Sequence, residues 1–547
     1  MLNQKPQAQP RFPRSITIAL IAIAALAALL RLVGNNQPFP TSDHAEVAAI
    51  VSYFYPRDMS SLGLNDASSW NMLTSVHGSL PLVIALISTS LIGIGGVHVN
   101  EFWWNLPFVL ASLLSVVASG VFVFRIAGRR PAVIAALLIT ILPLHATISR
   151  TSGLGHITLM FLCQLLTVWA FLTYVRSPTP QSASRAGITL AIALTVELFF
   201  PLLFALVGAV VWIGASDQTI TWSTRFFRTR RLLFNNRVML LPLLVLIFNL
   251  GLMVAYGRGW IDQGGMAARL MQGSNRTPGL YIVAFWQNAA FVVGPLACAI
   301  LFALGLCLRP LKLDERAIPL VWAAIYLVPF MLFTRANFYG YLLLGMAPLA
   351  LNAAIVLGDW LGQTRWSRAA ALTTLAALVA LMSLRSTSMI FGQDFGPVVG
   401  QGIAQGAIYP DQGLKAAAGW VRSQSASTDV MFADNTFEPY QLSYYLHRPF
   451  IALTDAQSAD EVFALLPDAP RQPVFYLVTP ANAPLLERYA ATPVHLRAQI
   501  SANDAVVLHV YGQNPGATVQ IDATTGNSEF DKLYGDWRNM FQIGVTK

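Results

Sequence analysis

Up to about residue 385 the chain alternates long apolar runs with short polar connectors. Runs of this kind show neither an amphipathic stripe nor a two-residue period. They read as helices crossing a bilayer, whose core of about 30 Å takes about 20 residues. The first run, 15–30, follows the polar, basic start MLNQKPQAQPRFPR; further runs cover 104–124, 131–148, 157–175, 238–256, 281–307, 317–334, 339–358 and 369–384. A long loop, 34–103, separates the first two. Inside it the stretch 80–95 (LPLVIALISTSLIGIG) reaches only about 24 Å as a helix, so it is expected to lie along the membrane face.

Residues 187–213 are apolar but basic on both flanks, with Arg176 and Arg185 before and Arg225, Arg228, Arg230, Arg231 and Arg237 after. Positive connectors favour the cytoplasmic side, so the chain is predicted to enter here, turn near Glu197 and Pro201, and return. The pattern gives a polytopic α-helical membrane protein of about eleven spans, N-terminus inside and C-terminal tail outside. No tandem repeat is present.

From about residue 390 the periodicity changes. GLKAAAGWVRSQ (413–424) has helical spacing, while VMFAD, PFIALTD, VFYLVT and AVVLHVYG are strand-like runs bounded by Pro, Asp and Asn. A soluble α/β domain over 390–547 is therefore expected beside a membrane domain over 1–389. The tail carries no GxGxxG and no nucleophile motif. It reads as a cap or an acceptor-guiding lobe.

Composition agrees with that division. Of 547 residues 55% are apolar and 11% charged, against about a quarter charged in ordinary soluble domains, which excludes a soluble enzyme. The net charge of +9 does not point to nucleic acid, because the basic residues sit in the membrane connectors while the tail is net acidic. Lys5, Arg11 and Arg14 before the first run also fit a secretory signal. Arg31, however, stands where a small-residue cleavage site would lie, so an uncleaved first span is expected. Cys163, Cys298 and Cys307 all fall in apolar runs and form neither a disulfide framework nor a metal motif.

The candidate chemistry gathers on the expected outer face. Asp43 and Glu46, in PTSDHAEVAAIVSYFY, share one helical face by their i, i+3 spacing. Such a pair serves as a general base or a divalent-metal site, or else caps a surface helix with Glu46 completing a capping box. His44, His77, His98, His145 and His156 map to the same face, and His44, His77 and His156 are candidate metal ligands. Outer-face arginines Arg57, Arg150, Arg258, Arg269, Arg276 and Arg335 run against the positive-inside tendency. Their planar forks match phosphate oxygens, although Arg335 with Tyr339 and Tyr341 also fits plain interfacial anchoring. Glu197, an acid inside an apolar run, is a functional candidate or a salt-bridge partner.

Several segments, in order and spacing, resemble one family. They are SDHAEVA after the first span, HGSLPLVIALISTSLIG, NLPFVLASLLSVVASGVFVFRIAG, ISRTSGLGHITLMFLCQLLTVWAFL and TRANFYGYLLLGMAPLAL. Over about residues 12–390 the chain resembles the GT-C glycosyltransferases, in particular the bacterial relatives of protein O-mannosyltransferases and of the lipid A aminoarabinose transferase.

The resemblance implies an enzyme of the bacterial cytoplasmic membrane. It would take a sugar from a polyprenyl-phosphate donor and transfer it, with inversion, to a glycan, lipid or protein on the non-cytoplasmic face. By position Asp43 is the expected catalytic base, with Glu46 beside it. Arg335, Tyr339, Tyr341, Arg150 and Arg276 are the expected phosphate-binding set. Two positions depart from the family pattern: His44 follows Asp43 where an acid is common, and Gly155–His156 replace a second-loop carboxylate. The departures weaken a carboxylate-bridged metal and leave open a His-assisted site, no metal, or an inactive copy. A flippase for a lipid-linked substrate and a non-catalytic assembly subunit are the competing functions. The charge-poor spans, with polar groups at one face, favour surface chemistry over alternating access.

Overall fold

The computed structural model describes residues 13–32, 84, 101–150, 152–196, 200–215, 221–256, 278–306, 314–333, 339–391, 395–399, 413–426, 429–433, 442, 445–446, 450–452, 474–486, 493–502 and 505–523. The membrane part is a helical bundle. Its helices are α1 (Arg14–Leu32), α2 (Glu101–Ala127), α3 (Arg129–Ile141), α4 (Pro143–Ile148), α5 (Ser152–Arg176), α6 (Pro180–Leu194) and α7 (Phe200–Gly214). They continue as α8 (Trp222–Leu233), α9 (Asn236–Tyr256), α10 (Pro278–Val293), α11 (Pro295–Leu306), α12 (Ile318–Phe333), α13 (Leu343–Trp360) and α14 (Arg365–Phe391).

At the centre stands α13, buried from Leu343 to Gly358, with α3, α11, α12 and α14 packed around it. In hydrocarbon the apolar effect does not drive helices together, so close approach through small residues does. A Cβ on Gly187 would lie 2.6 Å from the Arg237 carbonyl oxygen, which marks a backbone-to-backbone crossing of α6 and α9. The outer surface is the reverse of a soluble protein's: Leu110, Leu114, Ile188, Leu240, Leu244, Ile247 and Phe248 are exposed, as lipid-facing residues should be.

Among the described residues six helical segments are long and apolar enough to cross a membrane, or eight if each bent pair is one span. The protein is a multi-pass membrane protein. Several of the roughly eleven spans expected from the sequence are short or broken helices. The run 131–148, expected as one span, is split between α3 and the six-residue α4 at Leu142–Pro143, since proline has no N–H to continue the ladder. The run 281–307 is likewise not a straight span. Gly294 adopts φ +95° ahead of Pro295, and α10 meets α11 at a bend of 110°. Ring contacts from Phe285 and Trp286 to Phe302 hold the two arms together.

The stretch 187–213 does form two arms. Both α6 and α7 pack on α5, and Gly214 at the end of α7 lies against Val175 near the end of α5, close to where α6 begins. Both arms thus start and finish at one end of the bundle. Glu197 at the turn lies outside the described residues. At that same end Arg176 pairs with Glu315, and Arg316 with Asp359. Of the stretch 80–95 only Ile84 is described; it packs, partly buried, on the bundle core.

The tail builds a six-stranded mixed sheet with α15 (Leu414–Gln424) against it. The strands are β1 (Met431–Ala433), β2 (Phe450–Ala452), β3 (Phe475–Val478), β4 (His495–Ala502), β5 (Ala505–Gly512) and β6 (Val519–Asp522), in the order β2-β1-β3-β5-β4-β6. β1 runs parallel to β2 and β3, and β5 is antiparallel to β3 and β4. β1, β2, β3 and β5 fall on the four strand-like runs of the sequence. The apolar core of this unit includes Trp104 from the first turn of α2, with Trp103 packed beside it.

Candidate functional site

Arg31, the last charged residue of α1, is fully buried. A guanidinium carries five N–H donors and no acceptor, so burying it demands a matching set of oxygens and nitrogens. The bundle supplies them. Nε donates to Ser112 Oγ (2.6 Å) and Nη1 to the Ala27 carbonyl (3.1 Å). Nη2 reaches the Thr140 carbonyl (3.1 Å) and His145 Nδ1 (2.8 Å). On the far side of that ring, Nε2 meets Ser115 Oγ at 2.8 Å. Nδ1 accepts from Arg31, so the imidazole is neutral with its proton on Nε2, and Ser115 Oγ accepts that proton. Among the described residues no carboxylate pairs with Arg31.

Arg150, between α4 and α5, donates from Nη1 to the Leu30 carbonyl at 2.9 Å. Arg150 therefore caps the C-terminal turn of α1 at an orphan carbonyl, and both guanidinium groups oppose the negative end of the helix dipole. Burial lowers Arg150 to about 10, so it stays protonated at neutral pH. Arg385 of α14 is buried at the same end of the bundle. Its Nε donates to the Phe291 carbonyl of α10 at 2.9 Å, just before the Gly294 bend, while the neighbouring Ser386 Oγ donates to the Ile141 carbonyl. Two buried arginines, Arg31 and Arg385, and the half-buried Arg150 thus gather where α1, α3, α4, α10 and α14 meet, at the end opposite the Arg176–Glu315 pair.

His156 and Tyr341, two residues singled out by the sequence, are brought together. His156 is fully buried near the start of α5, and its ring meets that of Tyr341 edge-on with centroids 6.3 Å apart. His145 packs similarly on Phe161 of α5 (6.0 Å). Of the expected metal set only His156 is described; His44 and His77 lie outside the described residues. Among those that are described, no three His, Cys, Asp or Glu side chains converge on one point. Asp43, Glu46, Arg57, His98, Arg258, Arg269, Arg276 and Arg335 also lie outside the described residues, as does the side chain of Tyr339.

The node of Arg31, Ser112, Ser115 and His145 was not selected from the sequence. Arg31 did carry a signal, being an ionisable residue inside an apolar run, a default functional candidate. His145 was legible only as one of the outer-face histidines, and nothing in the sequence joined it or Ser112 to Arg31, 114 and 81 residues away.

No family model matches the chain, and no curated protein matches it by sequence. Solved structures do. ArnT of Cupriavidus metallidurans, bound to undecaprenyl phosphate, aligns over 92% of this chain and 99% of its own with TM-score 0.61 and 14% identity. The oligosaccharyltransferase AglB of Archaeoglobus fulgidus, in complex with an inhibitory peptide and a dolichol-phosphate, aligns over 87% of this chain and 71% of its own with TM-score 0.53 and 12% identity. A further structure of that archaeal enzyme, complexed with zinc and sulfate, gives TM-score 0.51 over 90% of this chain and 73% of its own at 13% identity. The architecture is thus that of a multi-pass membrane protein with an α/β tail. Its fold is the one seen in these ArnT and AglB structures.

Proposed function

We propose that the chain is a glycosyltransferase that takes a sugar from a polyprenyl-phosphate carrier. The transfer occurs at the non-cytoplasmic face of a bacterial cytoplasmic membrane, with the α/β unit on that same side. The observation that carries this reading is the convergence of Arg31, Arg150 and Arg385 at one end of a GT-C fold. In sequence, Asp43 follows the end of α1 at Leu32. A positive, largely dehydrated pole of this kind favours a departing phosphate more strongly than the same charges would in water.

In this reaction Asp43 removes the proton from an acceptor hydroxyl, with Glu46 three residues further along the sequence. The freed oxygen forms a bond to the sugar C1, and the C1–O bond to the lipid phosphate breaks with inversion. The phosphate leaves with the electron pair, and Arg335, Arg276, Arg150, Tyr339 and Tyr341 form its binding set. Arg31 holds the root of the Asp43 loop without touching the reacting atoms, its donors already being committed to the bundle.

Asp43→Asn tests the assignment. In proteoliposomes supplied with a polyprenyl-phosphate sugar and acceptor, transfer should fall by about a hundredfold or more with expression intact. Near-normal turnover would remove Asp43 as the base. Lipid movement across the bilayer without transfer, in the wild-type protein, would replace the transferase with a flippase.

A further inference from the structure

The helix α8 follows the α6–α7 hairpin and lies at the Arg176–Glu315 end of the bundle. Thr221 caps its start, accepting from the Thr224 N–H, and Tyr174 of α5 anchors its end through the Leu232 carbonyl and Asn235. Only one side packs inward, through Thr229 and Leu232. The outward side is neither polar nor apolar. Phe226, Phe227 and Phe234 are all exposed, the last 68% so, as is Trp222 at 76%. Arg230 falls among the phenylalanines by helical spacing, and Arg231 and Arg228 flank them.

Arg225 is spoken for, donating to the Trp212 carbonyl (2.9 and 2.7 Å) and stacking over its ring. The side chains of Arg228, Arg230, Arg231 and Arg237 have no ionic partner among the described residues. From 198 to 261 the sequence holds a single acid, Asp217, which lies outside the described residues.

We propose that α8 is an in-plane interfacial helix that, together with the first turn of α9, binds anionic phospholipid headgroups through Arg228, Arg230 and Arg231 of α8 and Arg237 of α9. Phe226, Phe227 and Phe234 enter the boundary of the acyl layer beside them. Exposed aromatic rings next to a bilayer edge are stable only at the headgroup level. Arg230 rises from the ring-bearing face and Arg231 from its edge, with Arg228 and Arg237 exposed beside it; their long side chains reach past the rings to phosphate oxygens, which they match geometrically. A soluble or peptide anion would meet the charges but leave the rings in water; a lipid surface meets both. The site is separate from the donor-phosphate end and stands or falls independently of the proposed transferase activity.

The test uses the full chain in phosphatidylcholine nanodiscs containing a minor fraction of phosphatidylglycerol, with spin-labelled analogues of each lipid reporting motionally restricted neighbours. Each arginine near an anionic surface is worth about fivefold, so a phosphatidylglycerol preference of at least about tenfold is expected. R228Q/R230Q/R231Q/R237Q should bring it close to one, and the corresponding lysine variant should retain most of it. High salt should erase it in the wild-type protein, an arm that needs no variant to fold. Equal retention of the two lipids by the wild-type protein, or a preference that survives the glutamine variant or high salt, would overturn the proposal. So would its loss in the lysine variant.

Discussion

At the residue scale the controlling feature is Arg31. Its donors tie α1 to Ser112 of α2, to the last turn of α3 and to His145 of α4. Removing it strands several acceptors in a dry interior, and each buried polar group left unmet costs about 1–3 kcal/mol. Arg31→Ala should therefore lose about 3 kcal/mol or more of stability, read as a lowered Tm in detergent, and Arg31→Lys should recover only part of it. A Tm within experimental scatter of the wild type would show that the node is dispensable. In the tail, burial lowers the His509 imidazole below its usual range. The unfolded chain then takes up the proton first as pH falls. Stability from neutral His509 is present above about pH 6.5 and is lost as pH drops toward the lower folded-state value. Thermal unfolding between neutral and mildly acidic pH should show this decline, and His509→Gln should flatten it.

At the element scale the packing of α6 on α9 depends on a missing side chain. Gly187→Ala would push a methyl group into the Arg237 and Val238 carbonyl oxygens, at 2.6 and 2.8 Å. The helices would have to separate, at about 1–3 kcal/mol, and the expected result is a lower Tm despite alanine's better helix propensity. This scale also shows what the sequence could reveal. The α6–α7 hairpin was legible because charge sits on both flanks of 187–213, and charge is a strong topological constraint. The breaks after Leu142 and at Gly294 were not, because an apolar run looks the same whether its helix continues or folds back. Pro143 and the Gly294–Pro295 pair were the available signals, and hydropathy passes over both. The four strand-like runs of the tail were legible by composition, whereas HLRAQISA, with its polar interruptions, was not recognised as β4. The Arg31 node stayed hidden for a different reason: which polar residues of an apolar helix face one another is fixed by tertiary packing.

At the scale of the whole molecule, the bundle and the tail are joined through Trp104. It starts the long helix α2 yet is fully buried in the apolar core of the tail's sheet and helix, beside Leu414, Tyr445 and Leu477. Trp104→Ala should cost about 3–5 kcal/mol in the tail. Limited proteolysis should then cut the tail faster while leaving the bundle's helical signal unchanged. Equal cleavage in both proteins would refute the coupling.

That shared tryptophan bears on how the gene can be divided. A fragment beginning near residue 390 would be born with an indole-shaped hollow at its heart, and the complementary fragment would display a greasy stub to water. Expressed apart, neither half would be a faithful sample of the whole; co-produced, the two should find each other and re-form it.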